Sequence, residues 1–292
     1  MKKRKFSAAD FIIKLIIGIF ALLSIFPFYQ TITISLSREG DKYLRPVFLL
    51  PIHIDFSAYT FLINEGKVIS GLCITLFVTI VGTLVSLAVT IPAAYALTKK
   101  TLPGRNIIMN LIIFTMFFSG GLVPYFITIK NLGLVDKIWV MIIPTAINTF
   151  NLILMKNFFK DLPQSLEESA KIDGARDYTV LICIVIPISK PIIAAISLFY
   201  AVDRWNEWWN AMLFINDTGK YPLQLVLRNA IVNMGTLFNN ISALDKVQKM
   251  GNSYTESVQS AIIVIAAVPI LLVYPFVQKY FASGIMIGSI KE

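Results

Sequence analysis

Leu162-Pro163-Gln164-Ser165-Leu166-Glu167-Glu168-Ser169-Ala170-Lys171-Ile172-Asp173-Gly174-Ala175-Arg176 opens a stretch that closes with Ile184-Val185-Ile186-Pro187-Ile188-Ser189-Lys190-Pro191. It is the most polar long segment of an otherwise apolar chain, and hydrophobic runs flank it on both sides. Pro163 stops whatever precedes it. Ser165-Leu166-Glu167-Glu168 has the form of a capping box, with the Ser165 hydroxyl accepting an orphan backbone N–H and Glu168 reaching back to the cap. Two carboxylates in the first turn suit the positive end of the helix dipole, and Glu167 stands four residues before Lys171 in the favourable order. Gly174 is a natural C′ residue, which limits the helix to about two to three turns. Asp177 then caps a second, more apolar helix that Pro187 and Pro191 interrupt. A short, rigid helix between membrane-embedded runs reads as a docking knob.

The rest of the chain fixes the setting. Its 292 residues are 56% apolar and only 15% charged, with a mean hydropathy of +0.72. Soluble domains are nearer half apolar and about a quarter charged. Six stretches reach the roughly 20 residues needed to cross a hydrocarbon core: about 11–35, 71–97, 107–129, 138–155, 188–215 and 258–281. The expected fold is an all-α integral membrane protein, a single permease domain over 1–292, with outer loops at 36–70 and 216–257 and a cytoplasmic loop at 156–187. Met1–Lys5 and the apolar run after it mimic a signal peptide, but the run is long and lacks a small-residue cleavage site. It reads as an uncleaved first span.

Orientation follows from lysine and arginine in short loops. Lys2, Lys3, Arg4 and Lys5 precede the first span, and Lys99, Lys100 and Arg105 follow the second. Both termini and the 156–187 loop therefore face the cytoplasm. The segments on that side carry fifteen basic and seven acidic side chains, so nearly all of the net +9 meets anionic headgroups there. No separate basic domain supports nucleic-acid binding.

Several spans carry irregularities. Span two is rich in small residues, among them Gly82, Ser86 and Ala93-Ala94, which let helices approach closely; Pro92 suggests a kink. Span three holds Phe117-Phe118-Ser119-Gly120-Gly121-Leu122-Val123-Pro124. A break there is tolerated only where it is buried in protein or lines a water-filled cavity, so a bent pathway helix is expected. Span five holds Asp203-Arg204-Trp205-Asn206-Glu207-Trp208-Trp209-Asn210. The spacing of Trp205, Trp208 and Trp209 places them on one helical face. Aromatic faces stack on sugar rings while Asn, Asp and Arg bond hydroxyls; an interfacial aromatic belt is the competing reading, and both stay open. Outer segment 36–70 has room for one or two amphipathic helices, and 216–257 has an amphipathic middle at Leu223–Phe238.

Chemistry is sparse. There is no G-x-x-x-x-G-K-[ST] phosphate loop, no HExxH, no Ser/His/Asp or Cys/His set and no paired intramembrane acids. Cys73, Cys183 and the lone His53 make neither a disulfide nor a metal set. An enzyme is not expected, and transport is what is left.

Glu168-Ser169-Ala170, three residues, Gly174, nine residues, Ile184, one residue and Ile186-Pro187 resembles the EAA loop of ABC importer permeases, E-A-A-x3-G-x9-I-x-L-P. Ser169 stands for the first Ala and Ile186 for Leu. With Phe118-Ser119-Gly120-Gly121, Asn131-Leu132-Gly133-Leu134, the Trp205-Asn206 region, Tyr274-Pro275-Phe276 and the Gly284/Gly288 tail, the resemblance is to carbohydrate-uptake permeases of the maltose type. The similarity is particular to the Gram-positive oligosaccharide subgroup, some of whose sugars are acidic. It implies one of two different permease subunits in a bacterial cell membrane, working by alternating access. The partners it implies are a dimeric ATPase, which binds ATP and Mg so that this chain needs no cofactor, and an extracellular solute-binding protein. By the same resemblance Glu167, Glu168, Ser169, Ala170, Asp173, Gly174, Ile184 and Pro187 form the ATPase-coupling element, and a tail with Gly288 and Lys291 reaches towards the ATPase. Gly120, Gly121, Trp205, Asn206, Trp208, Trp209 and Asn210 are the candidate substrate pathway.

Overall fold

The computed structural model describes residues 8–38, 50–51, 53–64, 66–239, 256–269 and 271–272, in two compact units. Among the described residues every regular element is a helix, and the one extended pairing is an isolated bridge between Ser37 and Ile54. The first unit holds α1 (Ala8–Ser35) and α2 (Ser57–Asn64), together with the apolar helix Glu256–Pro269. Phe11–Ser35 is long and apolar enough to cross a membrane, and its most apolar window has no side chain buried in the protein. Such a helix needs lipid or a partner around it. Its C-terminal end is anchored: Ser35 Oγ lies 2.8 Å from Tyr59 Oη, Asp55 N donates to Leu36 O, and Ser257 Oγ donates to Ser37 O.

The second unit runs, over most of its described residues, from Ile69 to Val226 and holds most of the candidate site residues. Helix α3 (Lys67–Ala96) is its long span and continues through Pro92. The expected third span is broken. Helix α4 (Arg105–Phe117) and α5 (Leu122–Asn131) meet at 119° across Phe118–Gly121, where Gly121 sits at φ +85°. That is the glycine-permitted break anticipated from its sequence.

The expected fourth span, 138–155, is not one helix. A short 3₁₀ turn (Ile138–Met141) leads into irregular backbone up to Asn148, whose side chain caps α6 (Thr149–Lys160) by accepting from Asn151 N. Then come α7 (Gln164–Ile172) and α8 (Asp177–Ile188), with a π turn at Leu181–Val185 just ahead of Pro187. The π turn re-routes the amide of Ile186 to Leu181 O, the kind of local adjustment that a helical proline demands. Helix α9 (Lys190–Trp205) leaves α8 at 85°, and α10 (Trp209–Phe214) and α11 (Leu223–Asn239) follow. Span five was expected over 188–215; the helix stops at Trp205 instead. The expected sixth span is described as Glu256–Pro269, and its remainder to 281 lies largely outside the described residues.

Two cores hold this unit together. One joins Tyr95 and Leu97 of α3 and its end, Leu152, Met155 and Phe159 of α6, Val180 and Val185 of α8, and Ile192, Ile196 and Tyr200 of α9. The other gathers Val78, Ile129, Val140–Ile142, Ala211, Phe214 and Leu225. The first core seats the short polar helix α7, and the second seats the irregular stretch.

Candidate functional site

Helix α7 is a nine-residue helix with no buried residue, ending in a tight glycine turn. Gly174 takes φ +83°; its amide donates to Lys171 O at 3.0 Å and the Ala175 amide donates to Ala170 O at 2.9 Å. These two bonds are the paired signature of a Schellman motif. The N-terminal end differs from expectation. The helix starts at Gln164 with Pro163 in the cap position, and no side chain caps it. Pro163, at φ −58°, is already set for helix entry, so Ser165 falls inside the first turn and the Ser165/Glu168 box does not form.

The charge pairs also differ. Glu167 is turned inward to Lys99, which follows the end of α3 and also lies 3.9 Å over the Tyr95 ring. Lys171 reaches across the glycine turn to Asp177 at 2.9 Å, a bond that holds its ammonium above the ordinary lysine range. Asp177, expected as a cap, serves as this partner instead and caps nothing. Each short element is therefore strapped to a neighbour rather than to itself. Ala170, Ala175 and Ile184 pack onto the first core, while Ser169, Asp173 and Pro187 are exposed, as is Glu168, which also lines a cavity beside α7. Ile172 is 86% exposed, and Tyr178 and Ile182 on α8 are bare as well.

The second feature is a buried arginine. Arg204, near the end of α9, is 3% exposed. It donates to Met141 O at 2.8 Å, to Thr145 O at 2.6 Å, to Thr145 Oγ1, and to Ser86 Oγ at 3.1 Å. One turn earlier, the Tyr200 hydroxyl accepts from Asn148 N at 3.1 Å and lies 2.8 Å from Thr90 Oγ1. These two side chains take the place of helical hydrogen bonds along 141–148. That is how irregular backbone survives in an apolar setting, where unpaired peptide groups are costly. Gly82, Ser86 and Thr90 form a stripe at four-residue spacing on α3. A Cβ at Gly82 would sit 3.0 Å from Arg204 Cδ and Nε, so the small residues of span two make room for a side chain as well as for a neighbouring helix.

Beside this node lies a cavity of about 290 Å³, lined by Pro144, Thr145, Ile147, Asn148, Tyr200, Asp203, Arg204 and Glu207. Two carboxylates, two hydroxyls, an amide and one guanidinium line it, and no group of acids, cysteines or histidines among the described residues could hold a metal ion.

Residues 83–287 match the family of binding-protein-dependent transport system inner membrane components. The chain belongs to this family. It is 41% identical to the polygalacturonan/rhamnogalacturonan transport system permease protein YtcP of Bacillus subtilis (strain 168), over the whole of both chains. It is 43% identical to protein LplC of the same organism, over 95% of this chain and 92% of that one. Among solved structures it is similar to a chain of a bacterial ABC transporter involved in the import of the acidic polysaccharide alginate. That match has a TM-score of 0.85 at 37% identity and covers 96% of this chain and 100% of the other. The permease is thus a transport subunit and not an enzyme.

The permease scatters its candidate pathway residues. Asn210 is 4% exposed and central: it accepts from Tyr125 Oη at 2.7 Å, and its amide groups donate to the Glu207 carboxylate at 2.8 and 3.1 Å. Through Glu207 it borders the cavity. Asn206 is exposed, donating to Val202 O and accepting from Gln224. The three tryptophans do not share a helical face, because α9 ends at Trp205 and Trp208 caps α10. Trp205 is buried, Trp208 packs on the second core, and Trp209 is 46% exposed with its ring 5.5 Å from that of Trp208, edge on. Gly120 and Gly121 stand at the α4–α5 break and line no part of the cavity. Gly288 and Lys291 lie outside the described residues.

Sequence reading placed Arg204 in the span-five cluster and Lys99 in a cytoplasmic loop without giving either its structural role, and it missed Tyr200 and Ile172. A charged residue inside the expected 188–215 span was the available signal for Arg204; nothing in the sequence pairs Lys99 with Glu167. It also missed Asp136, at φ +57° after α5. Its amide donates to Phe214 O, and its carboxylate accepts from the amides of Asn216 and Asp217 and from Lys220 Nζ. The Asp217 amide first, and then Lys220, hold the Asp136 carboxyl below the usual carboxylate range; Asp136 in turn raises Lys220. This clasp closes the 214–220 turn.

Proposed function

We propose that this chain is one permease subunit of an ATP-driven, binding-protein-dependent importer of acidic oligosaccharides, with six membrane spans, one permease domain over 1–292 and both termini in the cytoplasm. The observation that carries the substrate class is the match over whole chains to YtcP, whose name assigns polygalacturonan and rhamnogalacturonan transport, and to a chain of an alginate importer. In this reading the polar helix α7 and the turn at Gly174 dock on a dimeric ATPase, which binds ATP and Mg. Glu168, Ser169, Asp173 and Pro187 supply outward-facing contacts, while Glu167, Ala170 and Ile184 fix the helix to the body. The tail with Gly288 and Lys291 reaches towards the same ATPase. Two continuous spans, two bent pairs and a polar, strapped helix between them support this arrangement.

The mechanism follows from the straps. Glu167–Lys99 links α7 to the end of α3, and the first core links α8 to α6 and α9. A displacement of α7 by the closing ATPase is therefore delivered to three membrane elements together rather than absorbed in a loop. Arg204 and Tyr200 carry the motion to the irregular 141–148 stretch beside the cavity. Loaded binding protein and ATP each shift the equilibrium only by binding one state more tightly. Because Asp203 and Glu207 face the cavity, a polyanionic sugar gains little from this subunit. Recognition of its charge falls to the second, different permease subunit, with Asn206, Asn210, Trp208 and Trp209 as uncharged contacts here.

Reconstitution of the permease pair with its ATPase and binding protein in proteoliposomes tests this. An acidic oligosaccharide such as an oligogalacturonate is expected to enter and to stimulate ATP hydrolysis. Stimulation by a peptide, or transport with no ATPase present, would overturn the reading.

A further inference from the structure

We propose that the permease holds an anionic phospholipid by its phosphate headgroup in a basic pocket behind α7. A cavity of about 500 Å³ opens where the end of α3, the start of α4, the last turns of α6 and helix α7 converge. Lys99, Lys100, Arg105, Lys156, Lys160 and Lys171 line it, against Glu167 and Glu168 alone. Six cations face two anions, and the two engaged lysines, Lys99 and Lys171, take Glu167 and Asp177. Among the described residues Lys100, Lys156 and Lys160 have no ion-pair partner. Lys156 and Lys160 stand at i and i+4 on α6, where like charges repel. A bound anion between the two ammonium groups would relieve that repulsion. The lysines suit a phosphate as compact charge donors, and Arg105 adds a guanidinium.

The apolar surroundings select a lipid over a soluble phosphate ester. Leu97, Met109, Phe159 and Leu162 share the pocket wall. Ile107, Ile108 and Leu111 lie on the face of α4 turned away from the pocket and are exposed, so the helix that walls the pocket also presents apolar surface to lipid. Basic pockets between membrane helices are recognised headgroup sites. The consequence is specific: Lys99 both lines the pocket and straps α7 through Glu167, so a bound headgroup adds negative charge beside the strap that positions the docking helix. The pocket does not depend on which sugar is carried.

The test is native mass spectrometry of the assembled transporter taken from nanodiscs of equal phosphatidylglycerol and phosphatidylcholine. Phosphatidylglycerol is expected to be retained preferentially on the permease. A lysine near the surface contributes about fivefold in affinity, so K156Q/K160Q should reduce the preference by roughly 25-fold, while K156R/K160R should keep it. Equal retention of the two lipids, or a preference unchanged in K156Q/K160Q, would overturn the proposal. So would displacement of the lipid by millimolar glycerol phosphate, which would make the site a soluble-phosphate site. Loss of the ATPase subunit from K156Q/K160Q with lipid retained would also overturn it, by making the pocket a protein interface. These outcomes are separable from the sugar assignment, since none of them measures transport.

Discussion

Replacing Gly174 tests whether the turn that ends α7 is a mechanical part or only a connection. The residue sits at φ +83°, and a Cβ built there meets nothing within 4 Å. Sterics with neighbours are therefore absent, and the cost of a side chain is the backbone cost alone. A left-handed conformation costs an L-residue roughly 1–2 kcal/mol, less for asparagine, which tolerates it, and most for a β-branched residue. Helix α7 is nine residues long, too short to be stable on its own, so the whole of that cost falls on the closed turn. The open population should rise roughly fivefold to thirtyfold. Hydrogen–deuterium exchange of the 164–175 peptide in the assembled importer reads this directly. G174N should stay close to wild type, G174A should exchange about fivefold faster, and G174V should be the fastest, with sugar uptake per ATP falling in the same order. Asparagine as damaging as valine, or exchange unchanged across the series, would refute the backbone argument.

Three further outcomes are expected. R204M leaves the carbonyls of Met141 and Thr145 without donors, at about 1–3 kcal/mol each; a thermal-unfolding midpoint of the purified complex should fall clearly, and R204K should recover part of it. G82A forces the Arg204 stem aside, costing about 1–3 kcal/mol, and the penalty should vanish in an R204A background, where no stem atom is left to meet it, a coupling that a double-mutant cycle measures. The Asp136 clasp should be flat through neutral pH. Asp136, held low, contributes fully above the ordinary carboxylate range and loses its contribution as pH falls through its lowered value; Lys220, held high, loses its own only as pH rises through its raised value. D136N keeps the backbone tolerance and removes the charge, so proteolysis of the 214–220 turn at neutral pH should match that of wild type in acid.

The parts legible in the sequence were those with local causes. Long apolar runs marked α1 and α3, and Gly120-Gly121 with Pro124 marked the α4–α5 break. Gly174 marked the end of α7 because only a residue free of a Cβ takes that φ readily. The start of α7 was misread because a proline already set for helix entry replaced the side-chain cap. The 138–155 stretch looked like a span since its composition is apolar; what straightens it into irregular backbone is Arg204 and Tyr200, about sixty residues away in sequence by the separations of their bonds. The tryptophan triplet failed for a related reason. Helical spacing presumes a helix, and α9 ends at the first of the three.

The central claim is that α7 is a cytoplasmic coupling helix pressed against an ATPase. Ile172 is the residue to interrogate, being 86% exposed on that helix. Cys73 and Cys183 are both exposed and are first replaced by serine. In that background I172C should cross-link to the ATPase subunit in the assembled transporter, with a yield that changes on adding ATP, and should resist a membrane-impermeant thiol reagent applied to intact cells. Labelling of I172C from outside the cell, or an assembled complex that gives no ATPase adduct, would contradict the account.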